Sequence, residues 1–303
     1  MDSMRLGRGG IELRPLGLGT NSWNDKSLEG AREALSASLD AGITLIDTAE
    51  VYSWGRSERA ISQLLRESER PCVVATKFAP LPLRLTPDAL SRALDASLER
   101  LGLAQVDLYQ VHWPYSFLSI ESSMERLADE VQAGRVRAVG VSNYGAAQMR
   151  RAHAALEQRG IPLVSNQVNY SLLHRSPEIN GVLETCRELG ATLIAYTPLA
   201  SGALTGKYLP AGRKPTGIRR LFGVFRKLEQ AMPVVEELER IGLEHDRSAA
   251  QVALNWLARQ DAVLPIPGAK DGHQADQNAR SIDFEISEDQ AARLDAVSRP
   301  WRR

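Results

Sequence analysis

The apolar run Gly42-Ile43-Thr44-Leu45-Ile46 leads into Asp47, and Tyr52 follows after Thr48-Ala49-Glu50-Val51. A buried strand ending at this point presents a carboxylate and a phenol to one pocket. Taken alone, an Asp closing a strand is a common turn former and a nearby Tyr is common packing. Two more apolar runs end in groups with chemical use. Cys72-Val73-Val74-Ala75-Thr76 ends in Lys77, and Val106-Asp107-Leu108-Tyr109-Gln110-Val111 ends in His112. A cation at the end of a buried strand needs a partner, because an unpaired buried ammonium is costly. The four groups together suit reduction of a carbonyl, in which hydride reaches carbon and a proton reaches oxygen. Tyr52 is the candidate acid. A free phenol, with a pKa of about 10, is a sluggish donor near neutrality, so Lys77 must lie beside it and lower that value. Asp47 would hold the ammonium in place. His112 would donate to the carbonyl oxygen and stabilise the charge that develops there. No side chain carries hydride, so a redox cofactor is implied.

These groups need a scaffold that brings several strand ends to one place. Apolar strand patterns alternate with helical periodicity along the chain. Strands are expected at Leu16–Thr20, Ile43–Ile46, Cys72–Thr76, Val106–Val111, Val136–Val141, Leu163–Gln167, Ala191–Ala195 and Val263–Ile266. Helices are expected between them at Ser27–Asp40, Ser57–Arg66, Thr86–Leu101 with Pro87 in its first turn, Ile120–Ala133, Gly145–Glu157 and Pro177–Leu189. Eight strands separated by amphipathic helices specify a closed (β/α)8 TIM barrel, with chemistry at the carboxyl ends of the strands. Met4–Arg14, with Gly9-Gly10 in its middle, reads as an N-terminal β-hairpin that plugs one end of the core. Gly17-x-Gly19 resembles the start of a dinucleotide fingerprint, but no third glycine completes it, which excludes a Rossmann reading. The long connection Pro198–Asp261 holds an extra helix at Met232–His245 and a barrel helix at Ser248–Arg259. Before these stand Lys207, Arg213, Lys214, Arg219, Arg220, Arg226 and Lys227, which read either as a solvated basic loop or as a flap over an anionic cofactor. Ser287–Val297 is a further helix, and Pro300–Arg303 is an end segment without an assigned role.

Length and composition fit this scheme. A single barrel domain over 1–303 is within the usual range for the fold. Lys plus Arg equals Asp plus Glu at 37 each, so no global field favours nucleic acid or an anionic membrane. No apolar run reaches the length of a membrane span. Met1–Gly10 lacks the apolar core of a secretory signal, and the cytoplasm is the expected compartment. Cys72 and Cys186 read as buried free thiols. The scattered His residues show no metal-ligand spacing.

Asp47, Tyr52, Lys77 and His112, in this order and in these contexts, resemble the catalytic tetrad of the aldo-keto reductase superfamily. The similarity runs from Leu16-Gly17-Leu18-Gly19-Thr20 to Pro267-Gly268-Ala269-Lys270 and Asn278. It implies the roles given above and a cofactor of the NADP(H) type. Ser142, Asn143 and Gln167, at strand ends, carry hydroxyl and amide groups suited to a nicotinamide carboxamide, and Tyr196 could stack on the ring. Gly19, Thr20, Asp47, Thr197, Pro198, Leu199, Gly202 and Lys207 complete the implied cofactor surface on that side. Ile266, Gly268, Lys270, Gln274, Gln277 and Asn278 resemble the family's adenosine phosphate site. Lys270 favours NADP over NAD, although Gln274 stands where many relatives have Arg and Asp271 adds a nearby negative charge. Trp23, Trp54 and Trp113 would wall an apolar substrate pocket, for a small-molecule carbonyl whose identity the residues do not specify. Two other functions share the same residues: a cofactor-holding regulatory subunit, since the potassium channel beta subunits resemble this family, and a ketoreductase of a sugar pathway.

Overall fold

The computed structural model describes residues 3–82, 84–115, 117–208 and 223–302. A two-stranded antiparallel hairpin, β1 (Met4–Arg5) and β2 (Glu12–Leu13), precedes the sheet. Eight parallel strands follow: β3 (Leu18–Gly19), β4 (Leu45–Asp47), β5 (Val73–Phe78), β6 (Val106–Val111), β7 (Val136–Ser142), β8 (Leu163–Asn169), β9 (Thr192–Tyr196) and β10 (Val263–Pro265). Each pairs with its neighbour in sequence. The sheet also closes. The Gly17 N–H donates to Pro265 O and the Gly19 N–H to Pro267 O, both at 3.0 Å, and Gly19 forms a parallel bridge with Gly268. A Cβ at Gly19 would stand 2.9 Å from Ile266 O, so this seam requires a residue without one. Consecutive pairing with closure is the barrel expected from the strand count, and it differs from the reordered sheet of a dinucleotide fold.

Helices α1 (Leu28–Asp40), α2 (Arg56–Ser68), α3 (Asp88–Leu101), α4 (Ile120–Gln132), α5 (Ala146–Glu157) and α6 (Val182–Leu189) follow β4's predecessor through β8 in turn. After β9 come α7 (Gly223–Arg226), α8 (Leu228–His245) and α9 (Ala249–Ala258), and after β10 come α10 (Gly272–Ala279) and α11 (Glu288–Ser298). The longer helices around the barrel bury a stripe, apart from α9, which is buried along nearly its whole length. Ala60, Ile61 and Leu64 of α2, for example, face the sheet while Arg59 and Gln63 do not. Ser248 with Gln251 and Ser287 with Gln290 form capping boxes that start α9 and α11.

Inside the barrel, Leu45, Ala75, Leu108, Ala138, Val164, Ile194 and Leu264 form one buried layer with Leu6, Ile11 and Leu13 of the hairpin. The hairpin therefore plugs the barrel as expected. Several boundaries differ from the pattern reading. The helix expected at Pro177–Leu189 is a 3-10 turn at Ser176–Glu178 followed by α6, broken at Gly181, which takes φ +80. Helix α8 starts at Leu228, ahead of the expected Met232, and carries Pro233 inside it. Cys186 is buried, but Cys72 is only half-buried, a correction to the pair of buried thiols. The end segment acquires a structural role: Trp301 is buried, and its carbonyl accepts from the N–H of Arg175, whose buried guanidinium binds Glu178 at 2.6 Å and Asp295 at 2.5 Å. Arg213, Lys214, Arg219 and Arg220 lie outside the described residues. No helix among the described residues is long and apolar enough to cross a membrane.

Candidate active site

Asp47 is the last residue of β4, Lys77 lies near the end of β5, and His112 directly follows β6. Tyr52 opens the 3-10 turn after β4. Adjacent parallel strands thus deliver the four groups to one rim. Lys77 is 0 % exposed and Asp47 2 %. The ammonium donates to Asp47 Oδ1 at 2.6 Å, to Thr48 O at 2.7 Å and to the Tyr52 hydroxyl at 3.4 Å. All three donors of the buried cation are therefore used, which meets the requirement set by its burial. The second Asp47 oxygen, Oδ2, accepts from Gln167 Nε2 at 2.7 Å and from Gln110 Nε2 at 3.3 Å. Gln110 does not stand out as a site residue in the sequence, where its only signal is a polar side chain within a buried strand, a feature it shares with Asp107.

The charge states are set by competition between burial and neighbours. Burial lowers the pKa of Lys77, but the Asp47 carboxylate and the Tyr52 phenol outweigh it, and the net shift is upward. Lys77 is charged at neutral pH. Burial pushes the Tyr52 phenol up, and the Asp47 charge adds to this, while Lys77 pulls it down. The net direction is upward. This corrects the expectation that the ammonium brings the phenol below its ordinary value: the cost of burying the phenolate exceeds the attraction of the cation. Tyr52 is accordingly protonated at neutral pH. Burial, then the Lys77 charge, pushes His112 down to about 3, so its imidazole is neutral. The His112 ring crosses that of Tyr52 at 77° with centres 6.0 Å apart, and the Trp113 ring stacks on it at 3.8 Å.

The neighbouring strand ends continue the network. Ser142 Oγ donates to Gln167 O at 2.8 Å, Asn143 Nδ2 donates to His112 O at 3.0 Å, and the Tyr196 hydroxyl donates to Asn143 Oδ1 at 3.0 Å. Asn143 and Thr197 take the left-handed region at φ +61 and +53, which turns each chain sharply after its strand. Gly19 and Thr20 lie at the barrel seam, where the Thr20 hydroxyl donates to Asp47 O at 2.9 Å. The 3-10 turn Ala200–Thr205 follows Pro198 and Leu199, and Gly202 within it approaches the Lys207 ammonium. Lys270 and Ile266 belong to the loop after β10, Gln274, Gln277 and Asn278 to α10. Gln274 is engaged locally, accepting from the Lys270 N–H at 3.2 Å and donating to Asp271 at 3.3 Å, and Asn278 Nδ2 donates to Gly268 O at 3.3 Å.

An anionic dinucleotide fits this side by the chemistry of its donors. Lys207 and Lys270 stand on the loops after β9 and β10, and neither has a carboxylate partner among the described residues. Most arginines among the described residues do have one. The three tryptophans separate. Trp23 is 1 % exposed and its indole N–H donates to Ala269 O at 2.9 Å, so it packs beneath the β10 loop and offers no surface to a pocket. Trp54 is 84 % exposed on the turn after Tyr52, and Trp113 is half-buried against His112.

The model of the aldo/keto reductase family matches residues 15–299. The chloroplastic pyridoxal reductase of Arabidopsis thaliana is 36 % identical over 313 residues, covering 96 % of this chain and 85 % of that protein. An aldo-keto reductase of Schizosaccharomyces pombe named for NADP(+) is 33 % identical over 289 residues, covering 89 % and 83 %. The crystal structure of an aldo/keto reductase from Klebsiella pneumoniae in complex with NADP and acetate has a TM-score of 0.78 and 25 % identity, over 100 % of this chain and 96 % of that one. The match spans every barrel strand and all four strand-end groups, and the chain belongs to the aldo/keto reductase family.

Proposed function

We propose that the protein reduces an aldehyde or ketone to an alcohol with NADPH, using Tyr52 as the acid. The observation that carries this reading is the fully buried Lys77, bonded at once to Asp47 and to the Tyr52 hydroxyl, with a neutral His112 alongside. The cofactor supplies hydride. The chain supplies the proton and the place for the oxygen. His112, neutral, holds one ring proton to orient the carbonyl oxygen without adding a cation beside Lys77. Tyr52 holds its proton until negative charge grows on that oxygen. As the proton leaves, the phenolate gains the full attraction of Lys77, an interaction stronger after transfer than before it. Asp47 keeps the ammonium in position throughout. Ser142, Asn143, Gln167 and Tyr196 would hold the nicotinamide end, and Lys207 and Lys270 the phosphates.

The test is turnover of a panel of carbonyls, pyridoxal among them, followed at the nicotinamide absorbance. Tyr52→Phe should lower kcat by about 10²–10⁴-fold, the usual worth of a positioned acid, while NADPH still binds. Full turnover in that variant would remove the mechanism. Tight NADPH binding with negligible turnover on every carbonyl would instead point to a regulatory, cofactor-holding role.

A further inference from the structure

The turn that presents Tyr52 is strained. Ser53 and Trp54 follow it at φ +50 and +59, a left-handed conformation that non-glycine residues keep only where their surroundings impose it. Glu50 reaches out of this segment with a side chain only 7 % exposed. Its Oε1 accepts from the Ala79 N–H at 2.6 Å and from Arg84 Nη1, and its Oε2 accepts from Arg84 Nη2 at 2.8 Å. Arg84 Nη1 donates also to Ala79 O at 2.8 Å, and the guanidinium lies 5.1 Å from the centre of the Phe78 ring. A bidentate guanidinium specifies direction as well as distance.

The placement of this pair matters more than its strength. Glu50 stands two residues before Tyr52, and Ala79 two residues after Lys77. Between them, Phe78 O accepts the backbone N–H of His112 at 2.9 Å. One carboxylate thus ties the segment bearing the acid to the strand end bearing its cation, beside the anchor of the third group. Nothing in the proton transfer itself uses Glu50 or Arg84. We propose that the Glu50–Arg84 pair is a positioning device that sets the Tyr52 hydroxyl against Lys77, an inference that rests on Tyr52 being the acid.

The experiment compares Arg84→Met and Arg84→Lys with the natural chain. It reads kcat and KM for a carbonyl that is turned over, NADPH affinity by protein fluorescence, and the Tyr52 ring-carbon resonance in protein labelled with [13Cζ]tyrosine, assigned with Tyr52→Phe. Arg84→Met should lower kcat about tenfold through misplacement alone and leave KM and NADPH affinity within about twofold. The Tyr52 resonance should move. Arg84→Lys should recover part of kcat, since an ammonium binds as a point charge and cannot reproduce the fork. If Arg84→Met fails to fold, Glu50→Gln, which keeps an acceptor for the Ala79 N–H, is read in the same way. Unchanged kcat overturns the proposal, and so does a loss shared by kcat, KM and NADPH affinity, which marks general loosening of the barrel mouth. Should the natural chain reduce no carbonyl, the reductase reading fails by itself and takes the catalytic consequence with it; the resonance then tests placement alone, and if it is unmoved in Arg84→Met the pair does not set the Tyr52 hydroxyl against Lys77, whereas movement supports that placement.

Discussion

Removing Asp47 tests the buried pair without recourse to activity. Asp47→Ala deletes the acceptor of a Lys77 bond at 2.6 Å and leaves the ammonium, 0 % exposed, with only Thr48 O and a more distant phenol. Breaking a buried pair by deleting one member costs about 3–5 kcal/mol, because the other charge stays behind uncompensated. The donors of Gln167 and Gln110 lose their acceptor as well. Lys77→Met together with Asp47→Ala removes the orphan, so the double variant should be more stable than Asp47→Ala alone. The pH dependence carries a second signature. In the natural chain the Lys77 pKa is raised, so its stabilisation is fully present below the unfolded value of about 10.4 and is lost as pH rises through the folded value. Without Asp47, burial dominates and the folded pKa falls below the unfolded one, so the variant loses stability as pH falls. Denaturant midpoints of Asp47→Ala, Lys77→Met, the double variant and the natural chain, measured between pH 7 and 10.5, give the cycle. A loss below about 1 kcal/mol in Asp47→Ala, or a double variant destabilised by the sum of the singles, would refute the argument.

Two further outcomes follow from the site. His112 titrates at about 3 folded and about 6.5 unfolded, so the unfolded chain binds more protons and acid destabilises the fold, by about 2 kcal/mol at pH 5. His112→Gln should therefore lose about 2 kcal/mol less than the natural chain between pH 7 and pH 5, and equal losses in the two would reject the buried neutral imidazole. Lys270, on the loop after β10, has no carboxylate partner among the described residues, so kcat/KM should be higher with NADPH than with NADH. Lys270→Ala should narrow that gap, and equal rates with both cofactors in the natural chain would contradict the assignment.

Much of this protein follows from local sequence. Strand β6 is bounded by Val106 and Val111 as its apolar run implies, and Ser248 and Ser287 start helices α9 and α11 through bonds to residues three positions on. Each candidate catalytic group is legible because an apolar strand ends beside it, which depends only on neighbours in the chain. The contacts that decide what those groups do are of another kind. Asp47 meets Gln110 across 63 positions and Gln167 across 120, and Gly19 meets Gly268 only when the barrel closes. Trp23, a pocket wall by sequence, is turned inward by a bond to Ala269 on the far side of that seam. The Tyr52 phenol depends on the difference between two large opposing effects, burial and the Lys77 charge, and neither exists until the strands are side by side. Residue types and periodicity therefore point to the barrel and to its candidate groups, while the tertiary structure decided the protonation states, the partners of the second Asp47 oxygen and the Glu50–Arg84 pair, because each depends on distances that an open chain does not define.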